Sequence, residues 1–91
     1  MHRIVVVAEI EDAAKWEEGF KTHGDLFRSQ TVTTCHYSIT DDHHVAVCFE
    51  AEDMDAYMQG LESEATAEAM AVDGIKRETV KIFVLDKQFT P

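Results

Sequence analysis

His36 and Tyr37 place an imidazole beside a phenol in the middle of a β-branched, aromatic run from Thr31 to Thr40. An imidazole titrates near neutrality, so His36 is the leading candidate to handle a proton, with His23 second and Tyr37 as the alternate on the other face of the strand. Successive strand side chains point to opposite faces, and at most one of His36 and Tyr37 can look into a given cavity. A second group gathers on the first helical segment, where Trp16 and Phe20 lie one turn apart and His23 another turn on, spaced to line a pocket mouth. Arg28, further along, could hold a ligand carboxylate through two parallel hydrogen bonds. Core packing accounts for Trp16 and Phe20 without any ligand, and in so acidic a chain a partner carboxylate accounts for Arg28. Tyr57 completes the set of candidate substrate-binding residues.

Other reactive types lack a working spacing. His43-His44 follows Asp41-Asp42, but adjacent strand residues diverge, so the two imidazoles cannot converge on one ion without a distorted turn. No metal and no cofactor are expected. Cys35 and Cys48 have no metal-ligand spacing and read as reduced core thiols of a cytoplasmic protein, sharing one face of a hairpin. Met54, Met58 and Met70 read as core filler.

These residues must be positioned by six elements. Residues 3–10 form a strand that is apolar on both alternating faces, with Ile4, Val6, Ala8 and Ile10 on one and Val5 and Val7 on the other. Asp12 caps a helix over residues 13–28, weakened in its second half by Gly24. Strands at 31–40 and 43–51 pair as a hairpin around Asp41-Asp42. With an even loop, Thr34, His36 and Ser38 share a side with Val45, Val47 and Phe49, while Cys35, Tyr37 and Ile39 join Ala46 and Cys48. Asp53 caps a helix bearing Met54, Tyr57, Met58 and Leu61, which Gly60 and Ser63 break or bend. A short helix over 64–72 closes at Gly74, where a left-handed residue is favoured. Residues 79–85 return as a strand, again apolar on both faces, and 87–91 are a tail.

Strand, helix, strand, strand, helix, strand is the split βαβ pattern, whose solution is a single α+β domain over 1–91 with a ferredoxin-like, four-stranded antiparallel sheet and its helices on one face. The other face would stay apolar and wet. Covering about 600–800 Å² of it at about 25 cal/mol per Å² would contribute on the order of 15–20 kcal/mol per subunit before association costs, so a homodimer joined sheet to sheet is expected. Eighteen acidic residues against 8 basic ones, a formal charge of -10, repel nucleic acid and anionic membranes. No stretch approaches the roughly 20 apolar residues of a membrane span, and the opening run 4–8 is too short for a signal-peptide core.

Asp12, Lys15-Trp16, Phe20 and His23, then Val45 to Glu50, Glu52-Asp53-Met54, Leu61-Glu-Ser63, Glu68-Ala-Met70 and Gly74-Ile75, resemble the dimeric α/β-barrel superfamily, most of all its antibiotic biosynthesis monooxygenase-like branch. The resemblance spans nearly the whole chain. It implies a homodimer with a cavity between helices and sheet, and a cofactor-independent oxygenase acting on a small aromatic or polyketide-like molecule. The haem-degrading branch uses an Asn, a Trp and a His; here Gly60 and Met70 stand at the Trp and His positions and the chain has no Asn, which disfavours haem degradation. The other reading is a non-catalytic dimer that binds a small hydrophobic ligand or serves in stress. Within the cavity, His36 is the base if its face is the one the helices cover, and Tyr37 replaces it if that face is the dimer interface.

Overall fold

The computed structural model describes residues 1–41 and 43–91, so the Asp42 half of the expected Asp41-Asp42 turn lies outside the described residues. The β-branched run at the N-terminus forms β1 (His2–Glu9), paired antiparallel on both sides. One neighbour is β3 (His44–Ala51), which continues to β2 (Val32–Thr40); the other is the short edge strand β4 (Lys81–Val84). The order β2-β3-β1-β4 is that of an open, ferredoxin-like antiparallel sheet. Each crossover helix is split in two, as α1 (Ala13–Phe20) with α2 (Gly24–Ser29), and α3 (Met54–Leu61) with α4 (Glu64–Val72). The expected caps are in place, Asp12 accepting from the Lys15 amide and Asp53 from Ala56, and Ser63 caps α4 by accepting from Thr66.

The single helix expected over 13–28 is instead broken at residues 21–23. Thr22 donates its hydroxyl to the Gly19 carbonyl, and the amides of Thr22 and His23 bond back to Gly19 and Phe20, a side-chain-assisted turn that competes with continued helix. His23 consequently leaves the helix axis before Gly24 restarts it. Gly60, expected to break its helix, lies inside α3, where Ser63 makes the break. At the end of α4 the amide of Ile75 bonds the Met70 carbonyl and that of Gly74 bonds Ala71, with Gly74 at φ 76, the paired closure that a left-handed glycine permits. The last strand is shorter than 79–85 because Thr79 belongs to a 3-10 turn, Arg77–Thr79, and its hydroxyl accepts the Glu9 amide at 2.8 Å.

The hairpin register differs from the expected one. Thr40 pairs with His44, leaving three residues between the strands, and an odd loop inverts the facing predicted for an even one. Cys35, Tyr37 and Ile39 therefore oppose Phe49, Val47 and Val45 under the helices, while His36 and Ser38 oppose Cys48 and Ala46 on the open face. Cys35 and Cys48 thus lie on opposite faces, each a free thiol. Burial pushes the Cys35 thiol pKa up, with Cys48 adding to it.

The core lies between the helices and one sheet face, around Ile4, Ile10, Trp16 and Tyr57, all essentially inaccessible to solvent. The opposite face is lined by Val5, Val7, Cys48 and, on β4, Phe83, which is 51% exposed. Among the described residues no helix is long and apolar enough to cross a membrane. Ile4→Ala, which empties a site of 0% exposure in the central strand, is expected to lower unfolding stability by about 2–5 kcal/mol in denaturant titration.

Candidate functional site

Six rings prop the helices away from the sheet. Trp16 stacks on Phe20 at 4.7 Å, Phe20 meets Phe27 at 5.1 Å, Phe27 meets Phe49 at 5.4 Å and Phe49 meets Tyr57 at 5.8 Å, while Tyr37 stands edge-on to Trp16 at 5.4 Å. These tilted contacts suit ring quadrupoles but do not fill space as aliphatic side chains do. Beside them a partly open, almost wholly apolar cavity of about 70 Å³ remains, walled by Trp16, Phe20, Phe27 and Tyr57 with Val6 and Val47 of the sheet. One water needs about 10–15 Å³ on the same scale, so the space suits a few waters or a small ring.

Two ionisable groups meet in its wall. His23, released from α1 by the helix break, brings Nε2 to 3.1 and 3.0 Å from the two carboxylate oxygens of Asp73, the residue that ends α4. Their side chains are 18% and 4% exposed. The pairing depends on Gly19: a Cβ there would stand 2.0 Å from Asp73 Oδ1, so α1 carries a helix-weakening glycine where the carboxylate approaches. The turn after α4 fixes the other side, through Glu11 N–H to the Gly74 carbonyl and the Ile10–Ile75 bridge. Burial raises the Asp73 pKa, offset in part by the hydrogen bond from His23 and by the charges of His23 and Lys15. A second polar pair lines the cavity, Gln30 donating to Thr66 Oγ1 at 2.9 Å, and Gly60 admits the Gln30 side chain, which an added Cβ would meet at 2.3 Å.

Of the residues singled out from the sequence, Trp16, Phe20, His23 and Tyr57 come together around this cavity, and burial raises the Tyr57 phenol pKa. The others fall elsewhere. His36 lies exposed on the open sheet face, the consequence of the odd loop, and so cannot serve a cavity under the helices. Tyr37 does face the helices, but its hydroxyl donates to Glu17 of α1, and that hydrogen bond is the main cause of its raised pKa. Arg28 is exposed and pairs with Asp25 one turn back. His44 is clamped by Asp41 at 3.0 Å and Glu9 at 3.4 Å, with Asp41 the first cause of its raised pKa, and among the described residues no cluster of three or more His, Cys, Asp or Glu is placed to hold a metal.

Asp73, Gln30 and Thr66 were not anticipated. Asp73 carried a signal, since an acid at a helix C-terminus opposes the helix dipole and sits there only when something else holds it. Gly19, in the interior of an otherwise well-formed helix, was the matching sign of a close approach.

No family model matches this chain, and no curated protein matches it. Among solved structures the fold is that of antibiotic biosynthesis monooxygenase-like proteins. A crystal structure of an antibiotic biosynthesis monooxygenase superposes with a TM-score of 0.71 at 12% identity, over 97% of this chain and 99% of that one. SnoaB, a cofactor-independent oxygenase from Streptomyces nogalater, gives 0.70 at 14%, over 98% and 93%. The monooxygenase from the gene ActVA-Orf6 of Streptomyces coelicolor, in complex with the ligand Nanaomycin D, gives 0.62 at 12%, over 99% and 89%.

Gly19→Ala tests the construction of the site. Alanine contributes up to about 1 kcal/mol to a helix, whereas displacing a buried carboxylate from its hydrogen-bond donor costs about 1.5–3 kcal/mol. The variant is expected to be destabilised in denaturant and to shift the His23 ring resonances by NMR; a gain of stability with unchanged His23 signals would contradict the contact.

Proposed function

We propose that this protein is a cofactor-independent, monooxygenase-like enzyme that acts on a small hydroxylated aromatic molecule held between the helices and the sheet. The observation that carries the reading is a ring-walled apolar cavity with a buried imidazole–carboxylate pair in its wall. Rings and aliphatic side chains would bind a flat aromatic ligand, and a few polar groups would orient its hydroxyl. The cavity is in the part of the fold where the resemblance to the oxygenases implies one, and SnoaB, a cofactor-independent oxygenase, supports chemistry without a prosthetic group.

The reaction would draw its electrons from the substrate. A naphthol that loses its hydroxyl proton becomes an electron-rich anion able to reduce O₂; overall, naphthol and O₂ give naphthoquinone and water. One oxygen atom enters the ring, the other leaves as water, and all four electrons come from the substrate. No external reductant is needed.

The working form is a homodimer closed sheet against sheet. Both faces of β4 support this, since Ile82 and Val84 remain exposed on the helix side and Phe83 on the other, an unusual amount of apolar surface for an edge strand in water. The free thiols Cys35 and Cys48 fit a reducing compartment such as the cytoplasm. A non-catalytic ligand-binding dimer is the second reading, favoured by one observation, the small volume of the cavity.

Light scattering is expected to give twice the chain mass at micromolar concentration. The dimer with naphthol, in the presence of a chelator, is expected to consume one O₂ per naphthoquinone formed. Binding without O₂ uptake across a panel of hydroxyarenes would replace the enzyme with the binding protein.

A further inference from the structure

Among the described residues on or near the helix-covered sheet face, His23, Tyr37 and Tyr57 carry a ring that could handle a proton, beside the Cys35 thiol, whose pKa burial raises, and the Asp73 carboxylate. Tyr37 already spends its proton on Glu17, and Tyr57 is a buried phenol. His23 differs from both because only one of its two ring nitrogens is engaged. Asp73 presents two carboxylate oxygens to Nε2, and a carboxylate only accepts, so Nε2 carries the hydrogen; among the described residues Nδ1 has no hydrogen-bond partner, and in the neutral ring it is the nitrogen that can accept. The ring is held edge-on to Phe27 at 6.4 Å, in the wall of the cavity.

We infer that His23, held in this tautomer by Asp73, is the general base that ionises a hydroxylated aromatic ligand in the cavity, with Nδ1 taking the proton. This rests on the cavity being the ligand site. In the step the ligand O–H bond breaks, a Nδ1–H bond forms, and the electron pair stays on the ligand oxygen. The site carries one negative charge before, on Asp73, and one after, as naphtholate, imidazolium and carboxylate. The imidazolium forms against a carboxylate that is 4% exposed, where a charge pair is little screened by water. Asp73 acts as the positioning residue: it fixes the tautomer and stabilises the cation without touching the reacting atom. The charge of Lys15 favours the ionised carboxylate, against the burial that raises the Asp73 pKa.

A purely architectural role for the pair, tying the end of α4 to the α1–α2 turn, would account for the distances as well. It would not account for an ionised ligand. The experiment therefore reads the ligand. Naphthol is added to the protein at a pH where it is neutral in water, binding is followed by the fluorescence of Trp16, and the naphtholate band is measured per bound ligand. Wild type is expected to show the naphtholate band. In His23→Gln the naphtholate fraction per bound ligand is expected to fall about tenfold or more, the effect of at least one pKa unit, and in Asp73→Asn to fall in the same direction. Ring-nitrogen NMR of the unliganded wild type, which depends on no variant folding, is expected to show His23 with the hydrogen on Nε2 and a bare Nδ1. A hydrogen on Nδ1, no naphtholate band in wild type despite binding, or an unchanged band in a folded His23→Gln would each overturn the base assignment while leaving the cavity as a ligand site. Naphthol that leaves Trp16 fluorescence unchanged and does not bind would overturn both.

Discussion

Rings of α1, α2 and α3 meet Phe49 of the sheet inside an otherwise aliphatic core, and that contact shapes the cavity beside it. Trp16, Phe20, Phe27, Phe49 and Tyr57 run from α1 across to α3 with tilted or stacked planes at 4.7 to 5.8 Å, a geometry that satisfies ring edges and faces but leaves unfilled space alongside. Had the same positions held leucines, the layers could close and the cavity would be lost. The break at residues 21–23 brings His23 to the end of α4, where Gly19 leaves room for Asp73.

Much of this architecture was legible in residue patterns. Alternation in residues 4–10, the capping aspartates 12 and 53 and the glycine at 74 lead directly to the observed sheet, helices and final turn, because each reports a local preference that the fold does not contradict. Failures occurred where the deciding quantity was a parity or a distance. An even and an odd hairpin loop leave nearly the same signature in sequence, yet they exchange the faces of every residue from Thr34 to Ile39, so His36 reads as a cavity base and sits in fact on the open face. The α1–α2 break turns on Thr22, whose hydroxyl bond to Gly19 is a contest between two local structures that composition does not decide. Asp73 was hidden differently. Its partner is fifty positions away, and only the unfavourable placement of an acid at a helix end hints that it has one.

The relation to the oxygenases is one of fold. At 12–14% identity the likeness is in the fold and in the extent of chain covered. The sheet explains why such a scaffold suits a second copy: β1 is apolar on both sides, the helices cover only one, and the edge strand β4 leaves Phe83 at 51% exposure. Closing that face would also stiffen the strands that floor the cavity, since Val6 and Val47 of the floor lie in the same two strands as Val5, Val7 and Cys48 of the open side. Assembly and ligand binding would then share one sheet.

A crystal structure of the protein grown with naphthol is the most direct test, because it would locate the ligand and any second copy at once. The account predicts the ring between Trp16, Phe20 and the sheet, its oxygen within hydrogen-bond reach of His23 Nδ1, and the two open sheet faces packed together. A ligand lying on the open face beside His36, with the space under the helices filled by side chains, would contradict it.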